Sequence, residues 1–159
     1  MIGETHGGAT RSDALVLFGV TGDLAHKMIL PALYAMTKHG VLNVPVIGIA
    51  APKWSIVQLR KHTTDSIKQA GMIDDRDAID HLLALLRYVS GDYNDSGTFN
   101  TLKQALGDAK CPAHYLPIPP LLFGPVIQGL GAAGLAKNAR VIIEKPFGRD
   151  LASARELNR

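Results

Sequence analysis

The sequence is poor in cysteine, in charge and in long apolar runs. Cys111 is the one cysteine among 159 residues, which excludes a disulfide within the chain and suits a reducing compartment. Charged residues make up 19% of the chain, and the net charge is only +3 at pH 7. Because lysines and arginines are scattered rather than grouped, nucleic acid is not an expected partner. No apolar run approaches membrane-spanning length, and residues 1–12 carry no apolar signal segment. A cytoplasmic protein without a membrane partner is predicted.

Alternating strand and helix patterns predict an α/β protein. Residues 1–12 are small and polar and are predicted to form a flexible tail, followed by one domain over residues 13–159. Strands are predicted over residues 14–18, 44–50, 87–90, 114–118 and 140–144, and helices over 24–39, 56–70, 77–86, 98–106, 121–136 and 151–159. Pro31 predicts a kink or a break in the first helix, and Ser55 and Gln58 have the spacing of a capping box. Such βαβ units build a three-layered, doubly wound parallel sheet of the Rossmann-like dinucleotide-binding kind.

The segment Gly19-Val-Thr-Gly-Asp-Leu-Ala25 joins the first strand to the first helix. Glycines let a phosphate approach backbone N–H groups at the positive end of a helix dipole. The dinucleotide fingerprint is G-x-G-x-x-G/A, whereas this chain has G-x-x-G-x-x-A, with Thr21 at the middle position. The segment indicates a nucleotide pyrophosphate site, with a purely structural turn as the alternative. His26 follows directly and is placed to reach a phosphate.

The other strand ends offer fewer charged groups. NAD-type folds place an acidic residue after the second strand, but this chain has Ala50-Ala-Pro-Lys-Trp54. Lys53 is the candidate for a 2′-phosphate of NADP, or else a solvated loop lysine. The prolines of Tyr115-Leu-Pro-Ile-Pro-Pro120 form either a rigid turn or a wall beside a cofactor, and Phe123 either stacks on a ring or belongs to the core. Lys145 could hold a phosphate, a sugar hydroxyl or a carboxylate, or form a surface ion pair.

The six histidines show no metal-ligand spacing with cysteine or acidic residues, so no metal is predicted. None of them forms an evident Ser-His-Asp or Cys-His arrangement. His62 and His81 are predicted to be solvated helix positions, and His114 is predicted to begin a strand.

Three segments together resemble the glucose-6-phosphate dehydrogenase family. They are Gly19-Val-Thr-Gly-Asp-Leu-Ala25, Tyr115-Leu-Pro-Ile-Pro-Pro120 and Arg140-Val-Ile-Ile-Glu-Lys-Pro-Phe-Gly-Arg-Asp150, and their order and spacing both match. The segment Glu144-Lys-Pro-Phe-Gly148 after a strand is highly specific to that family. The resemblance begins near residue 15, runs to residue 159, and covers roughly the amino-terminal third of such an enzyme.

The resemblance implies the coenzyme-binding domain of an enzyme that oxidises glucose 6-phosphate to 6-phosphogluconolactone with reduction of NADP, the first step of the oxidative pentose phosphate pathway. Lys145 would contact both coenzyme and substrate, and Pro146 would position it through a cis bond. No catalytic residue is implied in this chain, because the family's catalytic His-Asp pair and its oligomer surface would lie further downstream. The residues predicted to bind coenzyme, from the turn, the strand ends and the resemblance, are Gly19, Val20, Thr21, Gly22, Asp23, Leu24, Lys53, Asp92, Tyr93, Phe123 and Lys145.

One departure from the family pattern concerns the coenzyme phosphate. Family members usually carry arginine at the position of Ala51, where it serves the 2′-phosphate of NADP. With alanine there, a preference for NADP depends on Lys53, and NAD is a possible coenzyme. Two other interpretations stay open: a truncated nucleotide-binding module without turnover, and a related sugar oxidoreductase.

Overall fold

The computed structural model of the chain describes residues 12–71 and 74–143. Several predictions fall on other residues and therefore lie outside the described part. They are the flexible tail up to residue 11, the last helix over residues 151–159, and the assignments made for Lys145 and Pro146.

A five-stranded parallel sheet forms the middle layer. Its strands are β1 (Ala14–Phe18), β2 (Val46–Ala50), β3 (Leu86–Ser90), β4 (Pro112–Tyr115) and β5 (Arg140–Ile142). They lie in the order β3-β2-β1-β4-β5, and every neighbouring pair is parallel. The chain thus begins at the centre of the sheet and winds outward in both directions, which confirms the doubly wound fold.

Helices cover both faces of the sheet. A π-helical segment (Ala25–Ile29) leads into α1 (Leu30–Lys38), followed by α2 (Ile56–Gln69), α3 (Arg76–Leu85), α4 (Ser96–Leu106), a 3₁₀ turn (Pro120–Leu122) and α5 (Phe123–Ala132). Alternate residues of β1 serve opposite faces: Leu17 packs with α1, α2 and α3, whereas Val16 and Phe18 pack with α4 and α5. Burial on both faces explains why the strand reads as an unbroken apolar run.

The first helix is continuous but under-wound at its start. The Leu30 N–H bonds to the Ala25 carbonyl, five residues back, and Pro31 lies in the first turn of α1. Since proline has no N–H to donate and its ring crowds the preceding turn, a π-type turn ahead of it relieves the conflict. The helix ends as predicted at Gly40, which has φ +75°, with Schellman-type bonds from Val41 to Met36 and from Gly40 to Thr37.

Some strands and helices begin or end at other residues than predicted, because prolines change the hydrogen bonding at their ends. The second strand begins at Val46 rather than at residue 44, since Pro45 contributes only its carbonyl, which accepts from the Leu15 N–H at 2.9 Å. The fourth strand begins at Pro112, where it pairs with Ala14, and ends at Tyr115. A helix was predicted over residues 121–136, but the observed α-helix is shorter. A 3₁₀ turn occupies residues 120–122, and α5 ends at residue 132.

Candidate functional site

The glycine turn after β1 has the geometry of an anion cradle. Gly19 has φ +69°, and a Cβ there would lie 2.7 Å from the Ile118 side chain, so both backbone conformation and space require glycine. The Gly22 N–H bonds back to the Gly19 carbonyl at 2.9 Å. The first helical bond runs from the His26 N–H to the Gly22 carbonyl at 3.0 Å. The backbone N–H groups ahead of it are therefore available to an anion at the helix dipole's positive end.

A cavity of about 510 Å³ opens beside this turn at the carboxyl edge of the sheet. Three segments form its walls: the turn itself, the end of β2, and the proline-rich segment after β4. The lining residues are Gly19, Thr21, Gly22, Asp23, Leu24, Ala50, Ala51, Pro52, Tyr93, Pro117, Ile118, Pro119, Pro120, Leu122 and Phe123. The cavity thus brings together seven of the residues predicted to bind coenzyme. It lies at the carboxyl edge of the sheet, where doubly wound sheets bind their ligands.

Tyr93 joins the third strand end to the turn. Its hydroxyl accepts a hydrogen bond from the Gly19 N–H at 2.8 Å and donates to the Ile49 carbonyl at 3.3 Å. Its ring meets Phe18 edge to face, with centroids 5.6 Å apart. Burial raises the pKa of Tyr93 to about 12, although the hydrogen bond from Gly19 opposes the rise. The phenol therefore stays protonated and holds the turn at neutral pH.

The proline-rich segment after β4 forms one wall of the cavity, and its role beside a cofactor stays a prediction. Pro117, Ile118, Pro119 and Pro120 all line the cavity. Phe123 packs against the core of the α4–α5 face, as one of its two predicted roles required, and it also lines the cavity. Stacking on a coenzyme ring stays a prediction.

Three of the predicted coenzyme residues within the described ranges are not among the lining residues. The side chain of Val20 is fully buried in the core, where it packs over Gly48, so only its backbone belongs to the turn. Lys53 is exposed and lies next to the lining residue Pro52. Asp92 is exposed, and its carboxylate accepts from the Asn94 N–H at 2.8 Å, which makes it part of a local turn.

Two histidines are placed differently from the predictions. The ring of His26 faces α2, where its Nε2 bonds to the Gln69 side-chain oxygen at 2.9 Å, and His26 does not line the cavity. The prediction that its ring reaches a phosphate is therefore not supported. His62 is not a solvated position, because its Nε2 is buried. Its ring lies 4.7 Å from that of His26, and sequence periodicity gave no signal for this pairing.

Residues missed by sequence reasoning complete the cavity. Ala50 and Pro52 at the end of β2, together with Leu122, line it beside Ala51. Their apolar character carries no chemical signal, and the position of the second strand end was the one cue available. Asp23 is the only carboxylate among the described residues that line the cavity.

The family model described as "Glucose-6-phosphate dehydrogenase, NAD binding domain" matches residues 16–159. The chain belongs to this family. The match spans the glycine turn and every wall of the cavity, and it indicates a nicotinamide dinucleotide as the ligand class. The resemblance inferred from the three sequence segments is confirmed.

Individual members of the glucose-6-phosphate dehydrogenase family agree with this assignment. Glucose-6-phosphate 1-dehydrogenase 1 of Mycobacterium tuberculosis is 45% identical over 152 residues, which is 96% of this chain and 32% of the relative. Glucose-6-phosphate 1-dehydrogenase of Rhizobium meliloti is 34% identical over 151 residues, which is 90% of this chain and 30% of the relative. The chain therefore spans about a third of the length of the curated relatives it matches.

Solved structures of the family share the fold. The crystal structure of glucose-6-phosphate 1-dehydrogenase from Mycobacterium avium matches with TM-score 0.82 and 43% identity, covering 93% of this chain and 33% of that one. A glucose-6-phosphate dehydrogenase in complex with its substrate glucose-6-phosphate matches with TM-score 0.76 and 32% identity, covering 94% and 34%.

Neither a membrane-spanning helix nor a metal cluster is found over residues 12–71 and 74–143. No helix in these ranges has the length and apolar character needed to cross a bilayer. No group of three or more histidine, cysteine or acidic side chains in the same ranges could hold a metal ion.

Proposed function

We propose that the cavity beside the glycine turn binds NADP, or NAD, with the pyrophosphate against the turn. The observation that carries this proposal is the convergence of the turn, the end of β2 and the proline-rich wall on one cavity in a chain of this family. Glycine at positions 19 and 22 keeps Cβ atoms away from the cradle, and the backbone N–H groups after Gly22 supply the donors. Thr21, Asp23 and Leu24 extend the contact along the turn, and Lys53 and Asp92, which do not line the cavity, are the further proposed contacts.

The choice between NADP and NAD rests on the end of β2. Ala51 lines the cavity where the 2′-substituent of the adenosine ribose would lie, and it offers no hydrogen bond from its side chain. Lys53 is the nearby cation, but it is exposed. A contact between one exposed lysine and the 2′-phosphate is a surface ion pair, worth roughly 0–1 kcal/mol. We therefore expect binding that discriminates only slightly between the two coenzymes.

Calorimetric titration of the chain with NADP⁺ and with NAD⁺ tests this expectation. The affinities should differ by less than about tenfold, since tenfold corresponds to about 1.4 kcal/mol. Ala51→Arg should raise the affinity for NADP⁺ and leave that for NAD⁺ unchanged, because a guanidinium can bind a phosphate through two parallel hydrogen bonds. Leu121→Arg is the matched control, since it adds the same charge at a highly exposed position that does not line the cavity. A preference of about a hundredfold for NADP⁺ in the unmodified chain would contradict the assignment of this strand end.

A protein carrying this domain is proposed to oxidise glucose 6-phosphate to the 6-phosphogluconolactone with reduction of NADP. Two observations support this: the names of the curated relatives, and the solved relative in complex with glucose-6-phosphate. The hydride chemistry belongs to the coenzyme, while the protein supplies binding, orientation and a base. Lys145 and Pro146, outside the described residues, are proposed as substrate contacts.

The 159-residue chain alone is proposed to bind coenzyme without turnover. Removal of hydride from C1 requires a base within hydrogen-bond reach of the C1 hydroxyl, which typically contributes 10²–10⁴-fold. The described lining offers Asp23 at the pyrophosphate end and no histidine. Purified chain with NADP⁺ and glucose 6-phosphate should therefore show no growth of reduced-nicotinamide absorbance above a protein-free control. Turnover that disappears in Lys145→Ala would show that a base lies within these residues.

A further inference from the structure

Two histidine rings meet directly behind the glycine turn. His26 lies in the π-helical segment that follows the turn, His62 lies on α2, and their ring centroids are 4.7 Å apart at 50°. His26 Nε2 is bonded to the Gln69 side-chain oxygen. Two other ring nitrogens, His26 Nδ1 and His62 Nε2, are buried and have no hydrogen-bond partner among the described residues. The Ser66 hydroxyl donates to the His26 carbonyl, which fixes the two helices against each other.

The pair is connected to two walls of the cavity through His62. Its ring interacts with the backbone carbonyl of Val20, inside the turn. The same ring meets Trp54 edge to face at 5.0 Å, and Trp54 stacks on Tyr88 at 6.2 Å. The Tyr88 hydroxyl donates to the carbonyl of Pro52, which lines the cavity. A displacement of the His62 ring would therefore alter the contacts that hold both the glycine turn and the segment after β2.

Burial and the neighbouring His26 ring favour the neutral form of His62. Burial lowers the pKa of His62, and His26 lowers it further, while the Val20 carbonyl and Asp65 oppose both effects. Asp65 is engaged elsewhere, because its carboxylate forms an ion pair with Lys61 at 2.8 Å. The other charged groups that act on this carboxylate are Lys68 and His26. A proton added to the pair thus meets a second imidazole and a carboxylate that is already paired.

We propose that the neutral His62 ring, packed against His26, positions the glycine turn, and that protonation of His62 weakens dinucleotide binding. An imidazolium at His62 would carry an N–H at the buried Nε2, which has no acceptor among the described residues. Because an unpaired buried N–H is costly, protonation favours displacement of the His62 ring from its place beside the turn. The proposal rests on the proposed coenzyme site for its effect on binding, but protonation itself can be observed without any coenzyme.

The fluorescence of Trp54 reports the protonation of His62 directly. Trp54 is the only tryptophan in the sequence, and an imidazolium in edge contact quenches indole emission. Emission should fall as the pH decreases, with a midpoint below 6.5, the ordinary value for histidine. The transition should vanish in His62→Gln, whose amide can still donate to the Val20 carbonyl. It should persist in the control His81→Gln, since His81 is exposed on α3 and bonds to Asn43. A pH-independent emission in the unmodified chain would overturn the proposal.

Titration with NAD⁺ at about pH 7.5 and about pH 5.5 measures the linkage to binding across the histidine range. NAD⁺ is the probe because the 2′-phosphate of NADP⁺ titrates near pH 6 itself, as phosphate monoesters do. We expect the affinity to fall at least about threefold between the two pH values, and by at most about tenfold per pH unit if one proton is linked. His62→Gln should flatten this dependence, and His26→Gln should shift it to higher pH because His26 lowers the pKa of His62; His81→Gln should leave it unchanged.

The outcomes separate the two proposals. An affinity for NAD⁺ that stays constant or rises at low pH would overturn the positioning role of the pair while leaving the coenzyme site intact. No binding of NAD⁺ at either pH would overturn the coenzyme site, and with it the linkage, even if the emission of Trp54 still titrates.

Discussion

Gly48→Ala tests how the strand β2 supports the glycine turn. Gly48 is buried at the centre of β2, and a Cβ built there would lie 2.8 Å and 3.0 Å from the two γ carbons of Val20. Both atoms belong to a fully buried side chain, so the neighbour cannot swing into solvent. The added methyl must push Val20 and the turn away from the sheet.

The expected cost follows from overpacking. Forcing a methyl group into a packed core costs about 1–3 kcal/mol, and replacing glycine recovers about 0.4–1 kcal/mol by restricting the unfolded chain. We expect Gly48→Ala to lower the free energy of unfolding by about 1–2 kcal/mol, measured as a shift of the urea midpoint at constant slope. The thermal midpoint should fall by about 2–4 °C for each kcal/mol in a domain of this size. Affinity for NAD⁺ should fall too, because Val20 belongs to the turn.

A matched control and a rescue variant accompany this measurement. Gly124→Ala, on the exposed side of α5 with no atom within 4 Å of the new Cβ, should be neutral or stabilising by up to about 1 kcal/mol. Val20→Ala combined with Gly48→Ala should lose less stability than the sum of the single variants, since the second change removes the overlapping atoms. Strict additivity, or a Gly48→Ala protein as stable as the unmodified chain, would refute the packing argument.

Three other predictions follow from the site and the core. Gly22→Val should abolish coenzyme binding and leave the circular dichroism spectrum unchanged, because Gly22 is exposed and its side-chain position faces the cradle; full affinity in the folded variant would refute the assignment of the turn. Tyr93→Phe removes the two hydrogen bonds of the hydroxyl, from the Gly19 N–H and to the Ile49 carbonyl, and should cost about 1–2 kcal/mol in urea unfolding. The cost stays small because the Gly19 N–H keeps the Ile49 carbonyl at 2.8 Å; a loss above about 3 kcal/mol would mean that the variant disturbs more than these two bonds. Burial lowers the pKa values of His62 and His114 below 6.5 in the folded chain, so the unfolded chain binds more protons at low pH. The free energy of unfolding should therefore fall as the pH drops below 6.5. Equal urea midpoints at about pH 7.5 and about pH 5 would contradict this prediction.

The fold was predictable wherever a local pattern determines the structure. The apolar run of β1, the capping box of Ser55 and Gln58, and the glycine at position 40 each act within a few residues, and all three appear as predicted. The bounds of β2 and β4 were less accurate, because a strand ends where its neighbour stops pairing, and the sequence does not state the register.

The site was predictable in composition but not in contacts. The glycine turn and the proline-rich wall carry their own signals, and the parallel topology brings them to one edge. The hydrogen bond between Tyr93 and Gly19 spans 74 residues, and the His26–His62 contact depends on how α2 crosses the first helix. Val20 was expected to contact coenzyme because it stands in the turn, whereas its side chain continues the packing of β1 into the core.

The most direct test of the coenzyme site is a ¹H–¹⁵N correlation spectrum of the chain titrated with NADP⁺. We predict that amide resonances of residues 19–24 and of Tyr93 shift with a single binding curve, since these residues surround the cavity. Amides of Val41 and Asn43 should not move, because they precede β2 and line a separate cleft at the amino edge of the sheet. Shifts confined to that amino edge, or no shifts at saturating coenzyme, would contradict the assignment of the glycine turn as the coenzyme site.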